Sequence, residues 1–415
     1  MKWKMNRREA LMLGTASLAS VSLANRAAGD VTPSVVEAHD KSLGSRLDAQ
    51  VLDAQSRWRG GIPDQWGLHH CGSAAHLLQD AAAAYFHPKS AFHGSDELFE
   101  RMKLAAGFLE RFQNDDGNID LLSTNFNSPP DTGFVVHRVG TAAKLAAIHD
   151  SQAVLSLMEP FLRRAGEGLA KGGIHTPNHR WVVSAALAQV NELFPDKRYT
   201  RRIDEWLAEG IDIDAEGQYT ERSTAGYNAT VNHALVVMAH KLNRPELLEP
   251  VRENLNAMAY LLHPDGEVVT EISRRQDLNT RRTMGVYWFS LRYMAIRDGN
   301  GMYAAMLAPL EPGNIELPAL MEYPVLQQDL PAATSVPQEY TRHYPLSGIT
   351  RIRRGKTSVT ITHKGNSRWV ALQHGEAVIN AVRFASAFFG KGQFMPSEFE
   401  QRDDGYFFRQ ELNGV

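Results

Sequence analysis

A single cysteine, Cys71, stands in 415 residues, so no disulfide can form within the chain and paired-cysteine zinc or redox motifs are excluded. We read Cys71 as a small apolar core residue rather than a reactive thiol. An excess of one charge is also missing. The 44 Lys and Arg against 47 Asp and Glu leave a formal charge of −3, which argues against a strongly basic nucleic-acid binder. Beyond the first residues no apolar run is long enough to span a bilayer. His-Glu-x-x-His, Walker and GxGxxG sequences ahead of a helix are lacking too, and with them the signatures of zinc hydrolases, P-loop enzymes and dinucleotide enzymes. His69 and His70 are adjacent, so on a helix they diverge and do not share a metal easily. No metal is expected in the helical part.

The N-terminus has what the rest lacks. "MKWKMNRREALMLGTASLASVSLA" places Lys2, Lys4, Arg7 and Arg8 before an uncharged run from Ala10 to Ala24, the layout of an export signal cut after Ala24. The Arg7-Arg8 pair resembles a twin-arginine signal, with a plain secretory signal as the alternative. An exported, periplasmic or secreted protein is expected, and without residues 1–24 the chain is more acidic than −3.

The length exceeds what one core usually organises, so two domains are expected. From Asp48 to Leu307 apolar spacing predicts helices at 70–86, 96–114, 132–148, 151–170, 177–193, 199–209, 226–242, 246–262 and 281–297. Short connections such as "DDGN", "FPDK" and "HPDGE" suit antiparallel helix pairs. Successive hairpins predict a helical solenoid or a closed (α/α) toroid over residues 25–308, although no repeat period stands out. Seven of the 19 prolines fall between Pro309 and Pro345, which reads as an extended connector, 309–345. From residue 346 the apolar period becomes two, in "TSVTITH", "RWVAL" and "GYFFRQEL", so a strand domain covers 346–415. It has too few strands to cover both faces of a sheet, and the sequence is expected to continue in a longer protein.

Four clusters carry chemistry-bearing residues. In "GGIHTPNHRW" Pro177 suits the first helical position, which puts Asn178, His179 and Arg180 in a first turn where unpaired N–H groups favour an anion; a merely decorated helix cap is the plainer reading. "EGQYTERSTAGYNATVNHAL" brings Glu221, Arg222 and Tyr227 into one loop and helix start. A tyrosine is a poor base at its reference pKa of about 10 unless cations stabilise the phenolate, and Arg222 and His233 are near enough in sequence to do so; a core tyrosine is the alternative. "TNFNSPPDTGFVVHR" sets Asn125, Asn127 and Asp131 around a loop stiffened by Pro129-Pro130, as either a ligand contact or a rigid turn. "WRGGIPDQWGLHH" offers Trp58, Trp66, His69 and His70, suited to a sugar face or to a core.

Taken together these residues resemble the heparinase II/III-like and alginate-lyase-like polysaccharide lyases. "HTPNHRW" and the tyrosine after "YTERS" stand in the order and approximate spacing of those families, from about Asp48 to the end. The resemblance implies an (α/α) toroid followed by an antiparallel β-sandwich, an acidic polysaccharide as partner, and β-elimination at a uronic acid without a catalytic cofactor. It implies that Asn178 and His179 neutralise the uronate carboxylate, that Tyr227 is the acid and base, and that a β-domain histidine enters the cleft. His374 fills that place, with His363 in competition. Arg180 and Arg222 are then expected to hold the carboxylate, and Asn125, Asn127, Asp131, Trp66, His69, His70 and Glu221 to line the substrate. A structural metal in the β-domain stays open. The "STAG" segment before Tyr227 departs from the shorter, more aromatic segment of alginate lyases, which leaves the polymer unassigned. Two rival readings are a toroid glycoside hydrolase, which would draw paired carboxylates from Asp115, Asp116, Asp131 and Glu221, and a glycan-binding protein without catalysis. Arg138, Arg180, Arg222, Arg281 and Arg282 favour a polyanion.

Overall fold

The computed structural model describes residues 32–412 apart from 312, 364–365, 386 and 389–390; the expected export signal lies outside them. The helical part comprises α1 (Pro33–Asp48), α2 (Cys71–Phe86), α3 (Asp96–Phe112), a small hairpin of β1 (Ile119–Leu121) and β2 (Asn125–Ser128), and then α4 (Pro129–Ile148), α5 (Gln152–Lys171), α6 (Pro177–Leu193) and α7 (Lys197–Ala208). It continues with α8 (Tyr227–Lys241), α9 (Leu248–Met258), α10 (Trp288–Asp298), α11 (Gly301–Leu307) and α12 (Leu317–Glu322). Nine of these match the predicted helices to within a few residues at most ends, and α10 starts later than expected because a 3₁₀ turn at Met284–Tyr287 precedes it.

Alternate helices form two layers. α2, α4, α6 and α8 pack side by side, while α3, α5, α7 and α9 lie outside them. The inner helices are apolar nearly all round: α6 buries Trp181, Val182, Val183, Ala185, Ala186, Leu187, Ala188 and Val190, as a helix with neighbours on every side must. α7, in the outer layer, buries only Tyr199 and Ile203. The inner helices run in one direction. Gly133 and Gly140 of α4 face Val182 and Gln189 of α6, Gln79 and Phe86 of α2 meet Arg138 and His149 of α4, and Glu192 of α6 pairs with Lys241 of α8. α10 follows α8, and α12 packs on α1, α2 and α4. The fold is an (α/α) toroid, with the N-termini of its inner helices gathered at one end.

Four returns from outer to inner helix use the same turn. In "DQWG", "NDDG", "DAEG" and "HPDG" the glycine amide bonds back to the carbonyl of the first residue (Gly67 to Asp64, Gly117 to Asn114, Gly217 to Asp214, Gly266 to His263), and that residue's own amide bonds to the residue after the glycine. All four glycines have positive φ, between 74° and 91°, which L side chains rarely adopt. This is the repeat that the letters conceal. The crossing from α5 to α6 lacks it and carries "GGIHTPN" instead.

Residues 309–345 are not simply extended: they contain α12, a 3₁₀ turn at Pro324–Gln327 and the first strand of the sheet. The sheet thus begins at residue 339, before the expected 346, in the order β3 (Glu339–Tyr344), β4 (Ile349–Arg354), β5 (Thr357–Thr362), β6 (Val370–His374) and β7 (Ala377–Val382), all antiparallel. The short β8 (Ala387–Phe388) pairs with β9 (Lys391–Gly392), and β10 (Glu398–Arg402) with β11 (Gly405–Arg409). One sheet face docks through polar groups on the loop that follows α9. Tyr340 bonds to the Tyr260 carbonyl, Arg353 to that of Leu262, Ser358 to His263 and Gln373 to Asp265. The other face meets the β10–β11 hairpin, where Phe399 stacks on His363 at 3.6 Å and Phe408 packs on Trp369. Cys71 is buried as expected, and burial pushes its thiol up to about 12.

Candidate active site

The end of the ring where the inner helices begin collects the sequence candidates. Pro177 opens α6, so the Asn178 amide has no helical partner, while the His179 amide turns back to the Thr176 carbonyl at 3.1 Å. A carboxylate of the chain itself takes this place: Glu221 accepts the Asn178 backbone amide at 2.9 Å and also bonds to the Asn178 side-chain amide. Asn178 donates further to Thr176 at 3.0 Å and is 2% exposed. Asn178 is therefore an internal tie rather than an open clamp, and Glu221 is its anion rather than a sugar contact.

His179 follows on the same turn. Its ring meets Phe134 edge-on at 6.2 Å and His175 at 5.9 Å. Burial, the leading cause, with the His175 and Arg275 charges beside it, lowers the imidazole to about 4 against the pull of Asp131. The ring is neutral at neutral pH.

Tyr227 opens α8. Its backbone amide is capped by the Ser223 hydroxyl at 2.9 Å, and its phenol donates to Gln276 at 2.8 Å. Arg275 lies 5.1 Å from the Tyr227 ring centroid, and its Nε is 3.6 Å from Glu221. The guanidinium is held above its ordinary value chiefly by the neighbouring Tyr227 hydroxyl, with the charges of Glu221 and Asp277 adding to this. Asp277 ties the two segments together, since it accepts the Ser223 hydroxyl and the Ala225 amide, each at 2.9 Å.

Several expected partners face elsewhere. Arg180 turns outward to Glu209 at 2.8 Å and Asp212 at 3.2 Å, so it is neutralised within the protein. Arg222 points away from Tyr227, to Asp214 at 2.6 Å and to Ser347. His374 is exposed on the sheet face opposite Gln373, the residue that reaches the helices, and bonds to Thr357 at 2.8 Å. It does not enter the cluster. His363 lies under Phe399 on that same outer face, and His233 is inside the ring against His137 and Phe289.

Asn125 bonds to Asp131, which also accepts the Ser128 hydroxyl at 2.5 Å. Asn127, with φ of 49°, holds the hairpin through Asp116 and Asp120. Pro129 and Pro130 are the first residues of α4, not a loop. Trp66 is 77% exposed at the tip of its turn. His69 is stacked on Trp58 at 4.9 Å and His70 lies 3.3 Å from Asp64, so both support that turn. Arg275, Gln276 and Asp277 were missed. Their only signal was "SRRQD", two arginines in a loop ahead of α10. No group of three or more His, Cys, Asp or Glu among the described residues is arranged to hold a metal ion.

No protein-family model matches the sequence, and no curated protein matches it. Solved structures do. The chondroitin AC lyase of Streptomyces coelicolor A3, in complex with chondroitin sulphate, matches 82% of this chain with 52% of its own at 14% identity and a TM-score of 0.57. A Paenibacillus xanthan lyase matches 82% of this chain with 36% of its own at 11% identity and a TM-score of 0.58. The chain thus spans about half of the first and about a third of the second. At such identities the likeness is one of fold: a helical toroid followed by antiparallel strands.

Proposed function

We propose that this protein is a polysaccharide lyase that cleaves a uronate-containing polysaccharide by β-elimination. The observation that carries the reading is Arg275, whose guanidinium lies 5.1 Å from the Tyr227 ring centroid and 3.6 Å from Glu221, close enough for its charge to weigh on the neutral His179. A uronate carboxylate between Arg275 and His179 would have its charge offset as the C5 carbanion forms, which is stabilisation at the atom where charge develops. In the proposed cycle Tyr227 first gives up its phenol proton to solvent and then takes the C5 proton. The electron pair becomes the C4–C5 double bond, the C4–O bond breaks, and the proton passes from Tyr227 to the departing oxygen. Asn178 serves by fixing Glu221 and thereby Arg275.

The two fold neighbours, named for chondroitin and xanthan, support an acidic glycan as substrate. The order of "HTPNHRW" and "YTERSTAGY" supports the heparinase II/III-like and alginate-lyase-like group among lyases, and residues 1–24 support export to where such polymers lie. Of the carboxylates a hydrolase would draw on, Glu221 is bound by Asn178, Asp131 by Asn125 and Ser128, and Asp116 by Asn118 and Asn127, which favours the lyase reading.

The test is to incubate purified protein with alginate, hyaluronan, chondroitin, heparan, ulvan and gellan and follow the ultraviolet absorbance of an unsaturated uronate. Tyr227→Phe is expected to lower kcat by at least about 10²-fold, the usual worth of a positioned acid or base. Chain cleavage with solvent oxygen in the product and no absorbance would refute elimination.

A further inference from the structure

Glu221 and Arg222 are consecutive, yet their side chains serve opposite sides of one strand of backbone. Glu221 turns inward to Asn178. Arg222 turns outward, and it does so with φ of 48°, a left-handed conformation uncommon for a residue with a side chain. Such conformations are costly and persist only where surroundings enforce them. Here the enforcement comes from two directions. Asp214 accepts the Arg222 guanidinium at 2.6 Å from the turn before it. The β3–β4 turn provides the other half: the Ser347 hydroxyl accepts from Arg222 and donates to Glu216 at 2.6 Å. Glu216 in turn accepts the backbone amides of Leu346 at 2.6 Å and Ser347 at 2.9 Å. The side chains of Arg222 and Glu216 are each 9% exposed, so neither has ready water to replace a lost partner.

We propose that the β-sheet domain takes part in the site through this turn, and that Arg222, Glu216 and Ser347 are positioning residues whose grip on the left-handed backbone directs Glu221 onto Asn178. This assignment rests on the lyase reading for its catalytic consequence only. The sheet then sets the register of the first turn of α6 from behind, at a distance from the reacting atoms. A uronate polymer would meet a site whose Arg275 and His179 are spaced by the docked domain.

The experiment compares Ser347→Ala, Arg222→Ala and Arg222→Lys with the unsubstituted protein by two readouts. Hydrogen exchange, measured without substrate, is expected to quicken at residues 174–182 by roughly tenfold or more in Ser347→Ala and Arg222→Ala, the factor set by one hydrogen bond to a charged group. Exchange in α2 and α3 stays as it was, and Arg222→Lys recovers part of the protection. With the uronate polymer, kcat falls by roughly tenfold while KM stays within about twofold, because misplacement acts on the transition state more than on binding. Ser347→Ala removes a hydroxyl alone, so it keeps the test open if Arg222→Ala does not fold. Unchanged exchange at 174–182 in folded Ser347→Ala would overturn the proposal. If the unsubstituted protein makes no unsaturated product, the lyase reading falls, and the exchange result still decides the coupling.

Discussion

Acid should unfold this toroid from its centre. His137 of α4 and His233 of α8 meet edge to face inside the ring with centroids 5.7 Å apart, and His233 also packs on Phe289 at 4.4 Å. Burial is the leading cause in both, lowering His137 to about 4 and His233 to about 3. The folded state therefore keeps them neutral where the unfolded chain, with a reference near 6.5, takes up protons. Their contribution is fully present above pH of about 6.5 and is lost as the pH falls toward about 4, at about 1.4 kcal/mol per unit for each histidine. At pH of about 5 each has lost roughly 2 kcal/mol and the pair roughly 4, a large share of the ~5–15 kcal/mol that holds a typical domain together. Urea unfolding followed by helical circular dichroism at pH of about 7.5 and about 5 measures the difference. His233→Gln, which cannot titrate, is expected to reduce the acid loss by roughly 2 kcal/mol. A midpoint indifferent to pH, or an undiminished loss in His233→Gln, would show that these rings are solvated or protonated in the fold and that the reasoning is wrong.

Three further outcomes follow from the site and the ring. Arg275→Lys keeps the charge but loses the planar guanidinium over Tyr227, so kcat/KM on the uronate polymer should drop by about 10²-fold, and full activity would remove Arg275 from the mechanism. His374→Ala should leave turnover unchanged, because its ring is on the outer face of the sheet; a large loss would restore it to the cleft. Gly117→Ala would place a Cβ 1.9 Å from the Arg164 carbonyl oxygen at φ of 91°, while Gly67→Ala meets nothing within 4 Å. Thermal melting should therefore show Gly67→Ala costing about 1 kcal/mol and Gly117→Ala clearly more, the difference being overpacking added to backbone strain; equal costs would refute the close approach.

The helices were legible because their signals are local. Pro177 at a first turn and the apolar stripe of "YNATVNHALVVM" need only a few neighbouring letters. α1 was missed because "VVEAHDKSLGSRLD" carries few apolar residues, and only Val35, Val36, Leu43 and Leu47 are buried. The site was half legible. Asn178, His179, Glu221 and Tyr227 do gather, since each sits at or before an inner helix start. Arg180 and Arg222 were assigned by sequence adjacency, which a helix turn or one left-handed residue redirects. His374 failed by a single step of strand alternation, because its neighbour Gln373 is the one that faces the helices. Arg275 comes from a loop with no periodicity, and nothing in "SRRQD" distinguishes it from the exposed Arg274. The repeated turn escaped because only its glycine and a short polar residue or histidine recur, at uneven intervals.

That turn divides the molecule into exchangeable and irreplaceable parts. Four re-entries into the ring are made by an interchangeable joint, so a segment such as "DQWG" could be traded for "NDDG" with its backbone path intact, provided that neighbours of the glycine permit it. The fifth re-entry, "GGIHTPN", has given up the common joint for a sequence that delivers Asn178 and His179. For anyone grafting a new specificity onto this scaffold, the joints are where loops can be swapped, and the crossing into α6 is the one to leave alone.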